Sequence, residues 1–350
     1  MTDVAGSLRL GMLALLLVST TACRDRPSSD KRGAVTAEVA QPVELRLDYA
    51  TYNLSSLVLK RQGWLDAELT KDGIGVRWVF SAGSNKANEL LASGSVDFAS
   101  TAGAAALLAR SNGVPLKVVY VYAKPEWAAL VVAAGSSITG VADLAGKKVA
   151  ATRGTDPFFF LLRSLEAVGL HQSDVQLVHL QHADGRLALS RGDVDAWAGL
   201  DPFMASAELR EHARLLARNI DFNSFGTLNV REDFLAKYPA QVERVIAQYE
   251  RARAWILAHP EDTAALLAAE GKVELDVARR QVTERTVLDR DVGVPGEALH
   301  RALAAVAPIL STEKLVGAGA DPGKALAELI APAAAQAVIH AGPASPAGTR

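Results

Sequence analysis

Hydrophobic and polar residues follow two different rhythms over the first part of the chain. At 43–49 and 75–80 apolar residues fall at every second position, which predicts β-strands with one buried face. At 55–69 they recur every three or four positions, which predicts a helix between the two strands. The mostly apolar run 117–122 predicts a buried strand. Strands that alternate with helices favour parallel sheets covered by helices.

A second series of strands and helices starts near residue 141. The pattern predicts a strand at 225–230 that returns the chain to the first series. Long helices are predicted after it, at 239–258, 261–270, 275–288 and 296–310. The strands predicted within the second series lie at 147–152, 175–180, 194–198 and 213–217.

Together the two series predict an α/β fold with two similar lobes. Lobe 1 is expected to comprise residues 43–131 plus 225–330, and lobe 2 residues 132–224. Residues 331–350 are rich in Ala, Pro and Gly. We therefore expect them to form a C-terminal tail that is disordered at its end.

The N-terminus has the pattern of an export signal. An apolar run at 10–18 follows Arg9. It is too short to cross a bilayer, which takes roughly 20 residues, but it suits the hydrophobic part of a secretory signal. Residues 1–22 are therefore predicted to be a signal peptide.

Cys23 is the single cysteine of the chain and directly follows this signal. Small residues precede it, as in the bacterial lipobox, where the thiol is diacylglycerated, although Thr20 stands where leucine is usual. A plain signal peptide with an incidental cysteine, or a retained anchor, is the alternative. With Cys23 lipidated, lipid chains hold the protein at a membrane, and the polar segment 23–42 is a flexible tether.

Composition excludes several classes of protein. Of 350 residues, 49% are hydrophobic and 22% charged, which is ordinary for a globular protein and excludes a disordered chain. With 37 Lys and Arg against 39 Asp and Glu, no broad basic footprint for nucleic acid is present. One cysteine excludes an intrachain disulfide and a multi-thiolate metal site.

Three turns rich in hydrogen-bond donors follow predicted strands, the first at 49–56, the second at 100–103 and the third at 152–156. In open α/β sheets, ligands bind beyond the carboxyl ends of strands, where helix N-termini attract anions. Turns from both lobes would then surround one small oxyanion. The alternative is that Ser, Thr and Asn are ordinary helix caps and that the arginine points to solvent. The candidate ligand-binding residues are Tyr52, Asn53, Ser55, Ser56, Thr101, Ala102, Arg153, Gly154 and Thr155.

Three segments resemble a known family. VADLAGKKVAA at 141–151 and ANELLASGSVDFAST at 87–101 resemble segments of type II periplasmic binding proteins. GDVDAWAGLDPF at 192–203 resembles a segment of the aliphatic sulfonate, taurine and nitrate group of that family. The resemblance runs from about residue 43 to 239, with a looser helical continuation.

This resemblance implies the type II periplasmic binding protein fold: two α/β lobes joined by two hinge strands, with the ligand in the interlobe cleft. It also implies delivery of the ligand to the permease subunits of an ABC transporter. It places Thr101 toward the anion and Asp201 at the cleft, whereas Ala102 stands where the family commonly has glycine.

Other side chains have two interpretations. Asp201 either accepts a hydrogen bond from a ligand amine or caps the helix that begins near Pro202. Trp127 and Trp197 either line the wall for an apolar ligand chain or belong to the core. His179 and His182 lie three residues apart, but with no acidic residue or cysteine nearby we interpret them as surface residues and predict no metal site.

We therefore expect a periplasmic solute-binding lipoprotein, monomeric and without cofactor, that binds a small anion such as an aliphatic sulfonate. Without acylation of Cys23 it would be free in the periplasm. Nitrate, a phosphonate or a pyrimidine-like ligand is one alternative, and a sensory lipoprotein is another. An enzyme on this fold, of the thiamine-pyrimidine or menaquinone biosynthesis type, is disfavoured by the export signal and by the lack of a nucleophile–base motif.

Overall fold

The computed structural model of the protein describes residues 41–341. The predicted signal peptide, Cys23, nearly all of the predicted tether and residues 342–350 lie outside the described residues. Within 41–341, no helix has the length and apolar character needed to cross a membrane.

Strands and helices alternate through most of this range. The strands are β1 (Glu44–Tyr49), β2 (Gly75–Phe80), β3 (Phe98–Ala102), β4 (Leu116–Pro125), β5 (Ala128–Val132), β6 (Lys148–Ala151), β7 (Gln176–His179), β8 (Ala196–Leu200), β9 (Arg214–Ala217), β10 (Gly226–Arg231) and β11 (Thr286–Val287). The helices are α1 (Leu54–Gln62), α2 (Trp64–Thr70), α3 (Ser84–Ala92), α4 (Gly103–Ser111), α5 (Asp156–Glu166), α6 (His182–Arg191), α7 (Phe203–Glu211), α8 (Glu232–Lys237), α9 (Pro239–Ala258), α10 (Pro260–Gly271), α11 (Leu275–Arg279), α12 (Glu297–Thr312), α13 (Pro322–Leu329) and α14 (Ala333–His340).

Two mixed sheets form the framework. The first has the order β11-β4-β10-β3-β1-β2 and the second the order β7-β6-β8-β5-β9. Strand β1 runs parallel to β2 and β3, and β6 parallel to β7 and β8. In contrast, β10 and β5 run antiparallel to their neighbours. The predicted α/β fold with two lobes is confirmed. The sheets are mixed rather than parallel because two strands do not follow a crossover helix of their own lobe. Strand β5 enters lobe 2 directly from lobe 1, and β10 enters lobe 1 directly from lobe 2.

The chain crosses between the lobes twice. Strand β4 ends at Pro125 in the first sheet, and β5 begins at Ala128 in the second. The chain returns between Ala217, the end of β9, and Gly226, the start of β10. The predicted boundary after residue 131 is therefore too late, since β5 pairs with β8 and β9 of lobe 2. The apolar pattern missed this because β4 and β5 are both buried and look alike in sequence.

Lobe 2 is built around β5 and β8, which are buried along their whole length. A sheet covered on both faces requires apolar residues at consecutive positions, and both strands meet this requirement. Helix α5 packs on one face of the sheet through a run of three buried phenylalanines. Trp197 lies in the core on the other face, with Val131 and Met204.

Helices after β10 cover lobe 1. Helix α9 packs against α1 and α14, and α12 packs against α4 and α13. The predicted helix 275–288 is interrupted: α11 is followed by a π-helical turn, Arg280–Arg285, and then by β11. This wide turn ends with Arg285 in the interior, where it is only 2% exposed.

Part of the predicted tail is ordered. The Ala331 amide donates a hydrogen bond of 2.9 Å to the Val118 carbonyl on β4, and helix α14 follows. The apolar content of 333–339 explains this docking, because it gives the helix a face to pack against α9.

Candidate ligand-binding cleft

A small cavity lies between the two lobes. Its volume of about 10 Å³ is enough for about one water molecule. Residues from lobe 1, lobe 2 and the first crossing segment all contribute to its wall, so the lobes are closed around it. Its lining residues are Tyr52, Ser84, Trp127, Thr155, Asp156, Pro157 and Leu200.

Asp156 connects the cavity to both crossing segments. Its Oδ2 accepts hydrogen bonds from Trp127 Nε1 (2.7 Å) and from the Ser224 amide (3.0 Å), and Oδ1 accepts one from Ser224 Oγ. The carboxylate lies at the N-terminus of α5, where the helix dipole favours negative charge. Burial nevertheless raises the pKa of Asp156. Asp156 ends the third predicted turn but was not among the candidate ligand-binding residues, although its position before Pro157 at a helix start was an available signal.

Two aromatic side chains, Tyr52 and Trp127, line the cavity. The rings of Tyr52 and Trp127 meet edge to face, with centroids 5.9 Å apart. The Tyr52 hydroxyl donates to the Ser100 carbonyl (3.0 Å) and lies 3.1 Å from Ser81 Oγ. Both rings are thus held in place by hydrogen bonds at their polar ends.

The polar residues after Tyr52 stabilise the first turn by hydrogen bonds within the protein. Asn53 Oδ1 accepts from the Ser56 amide (3.2 Å) and caps α1, while its Nδ2 donates to Ser100 Oγ (2.7 Å). Ser56 Oγ donates to the Asn53 carbonyl (2.7 Å) and accepts from the Ala50 amide (3.2 Å). Ser55 is buried in the first turn of α1. These polar groups make the capping bonds of the alternative interpretation, and none of the three residues lines the cavity.

Asp48 anchors this turn to β3. Its carboxylate accepts hydrogen bonds of 2.7 Å from the Ser100 amide, from Ser100 Oγ and from Ser81 Oγ. Burial raises the pKa of Asp48 to about 6, although these hydrogen bonds oppose the shift. In the sequence Asp48 occupies a polar position of an alternating strand, so nothing marked it as buried.

In the second turn the hydroxyl of Thr101 is engaged internally. Thr101 Oγ1 donates to the Ala102 carbonyl (2.9 Å) and accepts from Asn229 Nδ2 (2.7 Å). The Ala102 amide donates to Ser84 Oγ (2.9 Å). Ser84 therefore connects the second turn to the cavity wall. Ser84 was not a candidate residue, because it follows β2, which lies at the edge of the first sheet.

The third turn lies on the opposite lobe. Thr155 lines the cavity, and its Oγ1 donates to the Thr152 carbonyl (2.6 Å). Gly154 has a left-handed backbone with φ +77°, which favours glycine. A Cβ at Gly154 would lie 3.8 Å from Asn85 Cβ in lobe 1. Arg153 is exposed.

Asp201 is bound within the protein. Its Oδ1 accepts from Arg285 Nη1 (2.9 Å) and from the Ala205 amide (2.9 Å) of α7. Burial raises the pKa of Asp201 to about 6, with Arg285 opposing the shift. Asp201 thus makes the helix-end contact of the second interpretation and also pairs with Arg285, and it does not line the cavity.

The surface interpretation is wrong for His182. This residue is the first of α6 and is 1% exposed, whereas His179 is exposed. Burial lowers the pKa of His182 to about 3, so its ring is neutral. Among residues 41–341, no cluster of His, Cys, Asp or Glu has the geometry of a metal site.

A sequence profile for the family described as NMT1/THI5 like matches residues 55–263, which is more than half of the chain. The chain belongs to this NMT1/THI5-like family. A protein of Escherichia coli (strain K12) named for binding aliphatic sulfonates is 32% identical over 263 residues, 75% of this chain and 78% of the relative. The family member described here is therefore homologous to aliphatic sulfonate-binding proteins.

Solved structures agree with this assignment. The periplasmic aliphatic sulphonate binding protein SsuA from Escherichia coli is 28% identical, with a TM-score of 0.70 over 81% of this chain and 91% of SsuA. The alkanesulfonate-binding protein SsuA from Xanthomonas axonopodis pv. citri, bound to MOPS, has a TM-score of 0.74 at 24% identity, covering 82% of this chain and 98% of that protein. This NMT1/THI5-like protein thus has the periplasmic binding protein fold that the three sequence segments predicted.

The fold also carries an enzyme. The desulfurization enzyme DszB has a TM-score of 0.60 at 17% identity, over 86% of this chain and 99% of DszB. At that identity the similarity concerns the fold alone. The relatives with higher identity are named as binding proteins.

Proposed function

We propose that this protein is the solute-binding component of an ABC importer and closes its two lobes on an aliphatic sulfonate. The observation that carries the proposal is the interlobe cavity, whose wall combines Tyr52 of lobe 1, Thr155 of lobe 2 and Trp127 of the crossing segment. Homology to aliphatic sulfonate-binding proteins supports the choice of ligand. The protein binds and releases its ligand and is not an enzyme.

A sulfonate is a monoanion with three acceptor oxygens, so its site must supply hydrogen-bond donors. Trp127 and Ser84, whose side chains carry N–H and O–H donors, line the cavity, and so do the first residues of α5. Asp156 now accepts the Trp127 hydrogen bond, so a sulfonate oxygen competes with this carboxylate for the same donor. Arg153 and Gly154 lie beside this helix end, and Asn53, Ser55, Ser56, Thr101 and Ala102 support the turns opposite it.

Binding requires the lobes to open. A cavity of about 10 Å³ has space for about one water molecule and not for a sulfonate group. The two crossing segments are the natural hinges, because they are the only covalent connections between the lobes in the described range. Ligand therefore enters an open form, and closure buries it between α5 and the turns of lobe 1.

The remaining features concern location and partners. We propose that residues 1–22 direct export, that Cys23 carries a lipid anchor at a periplasmic membrane surface, and that the protein works as a monomer with the permease subunits of an ABC transporter. Mass spectrometry of the membrane-extracted protein would detect the acylated Cys23. A free thiol, or recovery of all the protein in the soluble periplasmic fraction, would contradict the anchor.

Thermal unfolding with and without candidate ligands tests the binding function. At 100 times its dissociation constant a ligand stabilises the folded state by about 2.7 kcal/mol. We expect alkanesulfonates to raise Tm, and sulfate, nitrate, phosphonates and pyrimidines to leave it nearly unchanged. A rise in Tm with nitrate or a pyrimidine but with no sulfonate would refute the sulfonate assignment. Chemical conversion of a bound sulfonate would refute the binding-only role.

A further inference from the structure

Two buried acceptor atoms from opposite lobes lie close to Gly83. Gly83 precedes α3 in lobe 1, and a Cβ placed on it would lie 2.9 Å from Asn85 Oδ1 and 3.2 Å from His182 Nε2 in lobe 2. Among the described residues neither atom has a hydrogen-bond partner. Ser84, which lies between Gly83 and Asn85 in the chain, lines the cavity, so Asn85 directly follows a residue of the cavity wall.

The hydrogen bonds of Thr152 fix the tautomer of His182. Thr152 Oγ1 donates its single proton to the Leu180 carbonyl at 2.7 Å. It lies 3.2 Å from His182 Nδ1 and can only accept there, so Nδ1 carries the proton. His182 Nε2 therefore carries no proton, and it lies beside Gly83 of lobe 1 as a hydrogen-bond acceptor. Burial lowers the pKa of His182 to about 3, so protonation does not convert Nε2 into a donor near neutral pH.

Closure of the lobes removes both acceptors from water, and a buried acceptor without a donor costs free energy. We propose that the ligand carries a nitrogen donor group with two N–H bonds, an amine or a carboxamide, which bridges Asn85 Oδ1 and His182 Nε2. This inference rests on the proposed function and narrows the ligand to a sulfonate with such a group a few atoms from its anionic end. One group with two hydrogens satisfies an acceptor on each lobe, so its recognition also favours the closed form.

Two other arrangements make different predictions. A water molecule could bridge the two acceptors with any ligand bound. Alternatively, rotation of the Asn85 amide would allow Nδ2 to donate directly to His182 Nε2, because the oxygen and nitrogen of an amide exchange places in that rotation. In both arrangements the protein would not discriminate between sulfonates with and without an amino group.

Calorimetric titration with propane-1-sulfonate and 3-aminopropane-1-sulfonate tests the inference, because the two ligands differ only in the amino group. We expect the wild-type protein to bind the amino compound about tenfold more tightly. Its charged amino group donates hydrogen bonds to the two acceptors, which stay unpaired when propane-1-sulfonate is bound. In His182→Phe, which keeps a planar ring and removes the acceptor, we expect the ratio of the two affinities to fall to about one. His179→Phe, on the exposed histidine of the same lobe, is the matched control and should keep the tenfold ratio.

Asn85→Leu provides a second variant if His182→Phe does not fold, since Asn85 is only partly buried. It should lower the ratio in the same direction. Equal affinities in the wild type, or an equal loss for both ligands in the variants, would overturn the inference and leave the sulfonate function in place. If neither sulfonate binds, the proposed function fails and the inference fails with it.

Discussion

Arg285 and Asp201 form a buried ion pair between the two lobes. Arg285 Nη1 lies 2.9 Å from Asp201 Oδ1, and the side chains are 2% and 0% exposed. Arg285 ends the π-helical turn that leads to β11 of lobe 1, whereas Asp201 follows β8 of lobe 2. Arg285 also pairs with Glu208 on α7. The contact therefore joins the C-terminal helices to lobe 2 next to the hinge.

Arg285→Met should destabilise the protein by about 3 kcal/mol, because it leaves Asp201 buried without its cation. Chemical unfolding measures this loss. Arg301→Met is the control, since Arg301 pairs with Glu297 on the surface and such pairs contribute about 0–1 kcal/mol. The double variant Asp201→Asn with Arg285→Met should lose less than the sum of the single losses. Additive losses would show that the two residues do not interact.

Gly103→Ala should destabilise the folded state by about 2 kcal/mol, since overpacking forces the backbone to shift. A Cβ on Gly103 would lie 2.4 Å from the Ser224 carbonyl oxygen, which belongs to the returning crossing segment. The Gly103 amide also donates to Ser224 and Phe225 carbonyls. Gly135→Ala is the matched control, because nothing lies within 4 Å of its Cβ position. Equal free energies of unfolding in the two variants would contradict this close packing.

Thr101→Val should lower stability by about 1 kcal/mol, because Asn229 Nδ2 loses its acceptor. Thr70→Val is the comparison, since the Thr70 hydroxyl donates to the Asp66 carbonyl on an exposed helix. Urea unfolding of both variants gives the difference. If Thr101→Val weakens sulfonate binding with unchanged stability, Thr101 contacts the anion directly, as the family resemblance implies.

Arg153→Ala should weaken sulfonate binding by about threefold at low ionic strength, and the effect should shrink as salt is added, because an exposed charge is screened. Arg191→Ala removes an exposed arginine from the C-terminal end of α6 in the same lobe and serves as the control. Titration calorimetry at two salt concentrations measures both effects. The same affinity in both variants would place Arg153 outside the site.

The pKa of Asp48 predicts a pH dependence of stability. Its folded-state value of about 6 exceeds the ordinary 3.8, so the folded state binds more protons between these values than the unfolded chain does. The free energy of unfolding contributed by this group therefore falls as pH rises from about 4 to about 6. We expect Asp48→Asn to show a weaker fall over this interval in urea titrations. Parallel pH profiles would contradict the raised pKa.

Much of the fold was predictable, because the hydrophobic pattern of each strand or helix lies within its own segment of the sequence. Alternating and helical patterns locate most strands and helices, and the segment at 192–203 is specific enough to indicate the family. The π-helical turn was not predictable, since residues 275–288 read as one continuous helix. The turn ends at Arg285, whose partners Asp201 and Glu208 are more than 70 residues away in sequence, so a local pattern does not contain this information.

The site was predictable only in part. Tyr52, Trp127 and Thr155 line the cavity, and all three lie near strand ends, where ligands bind in open α/β sheets. Polar side chains at the other turns make hydrogen bonds to backbone groups. Their role was not predictable, because a sequence does not show whether a hydroxyl will bond to the backbone or to a ligand. The burial of His182 was not predictable, because its ring lies beside Gly83 of the opposite lobe, which is distant in the sequence.

The order of strands has a consequence for synthesis. Strand β10 lies between β3 and β4 in the first sheet, yet it follows the whole of lobe 2 in the chain. A nascent polypeptide that ends before Gly226 leaves β3 and β4 with unpaired edges, which are templates for aggregation. The first lobe is therefore completed only after the second has been made, and one edge of β3 stays unpaired for as long as the synthesis of lobe 2 takes.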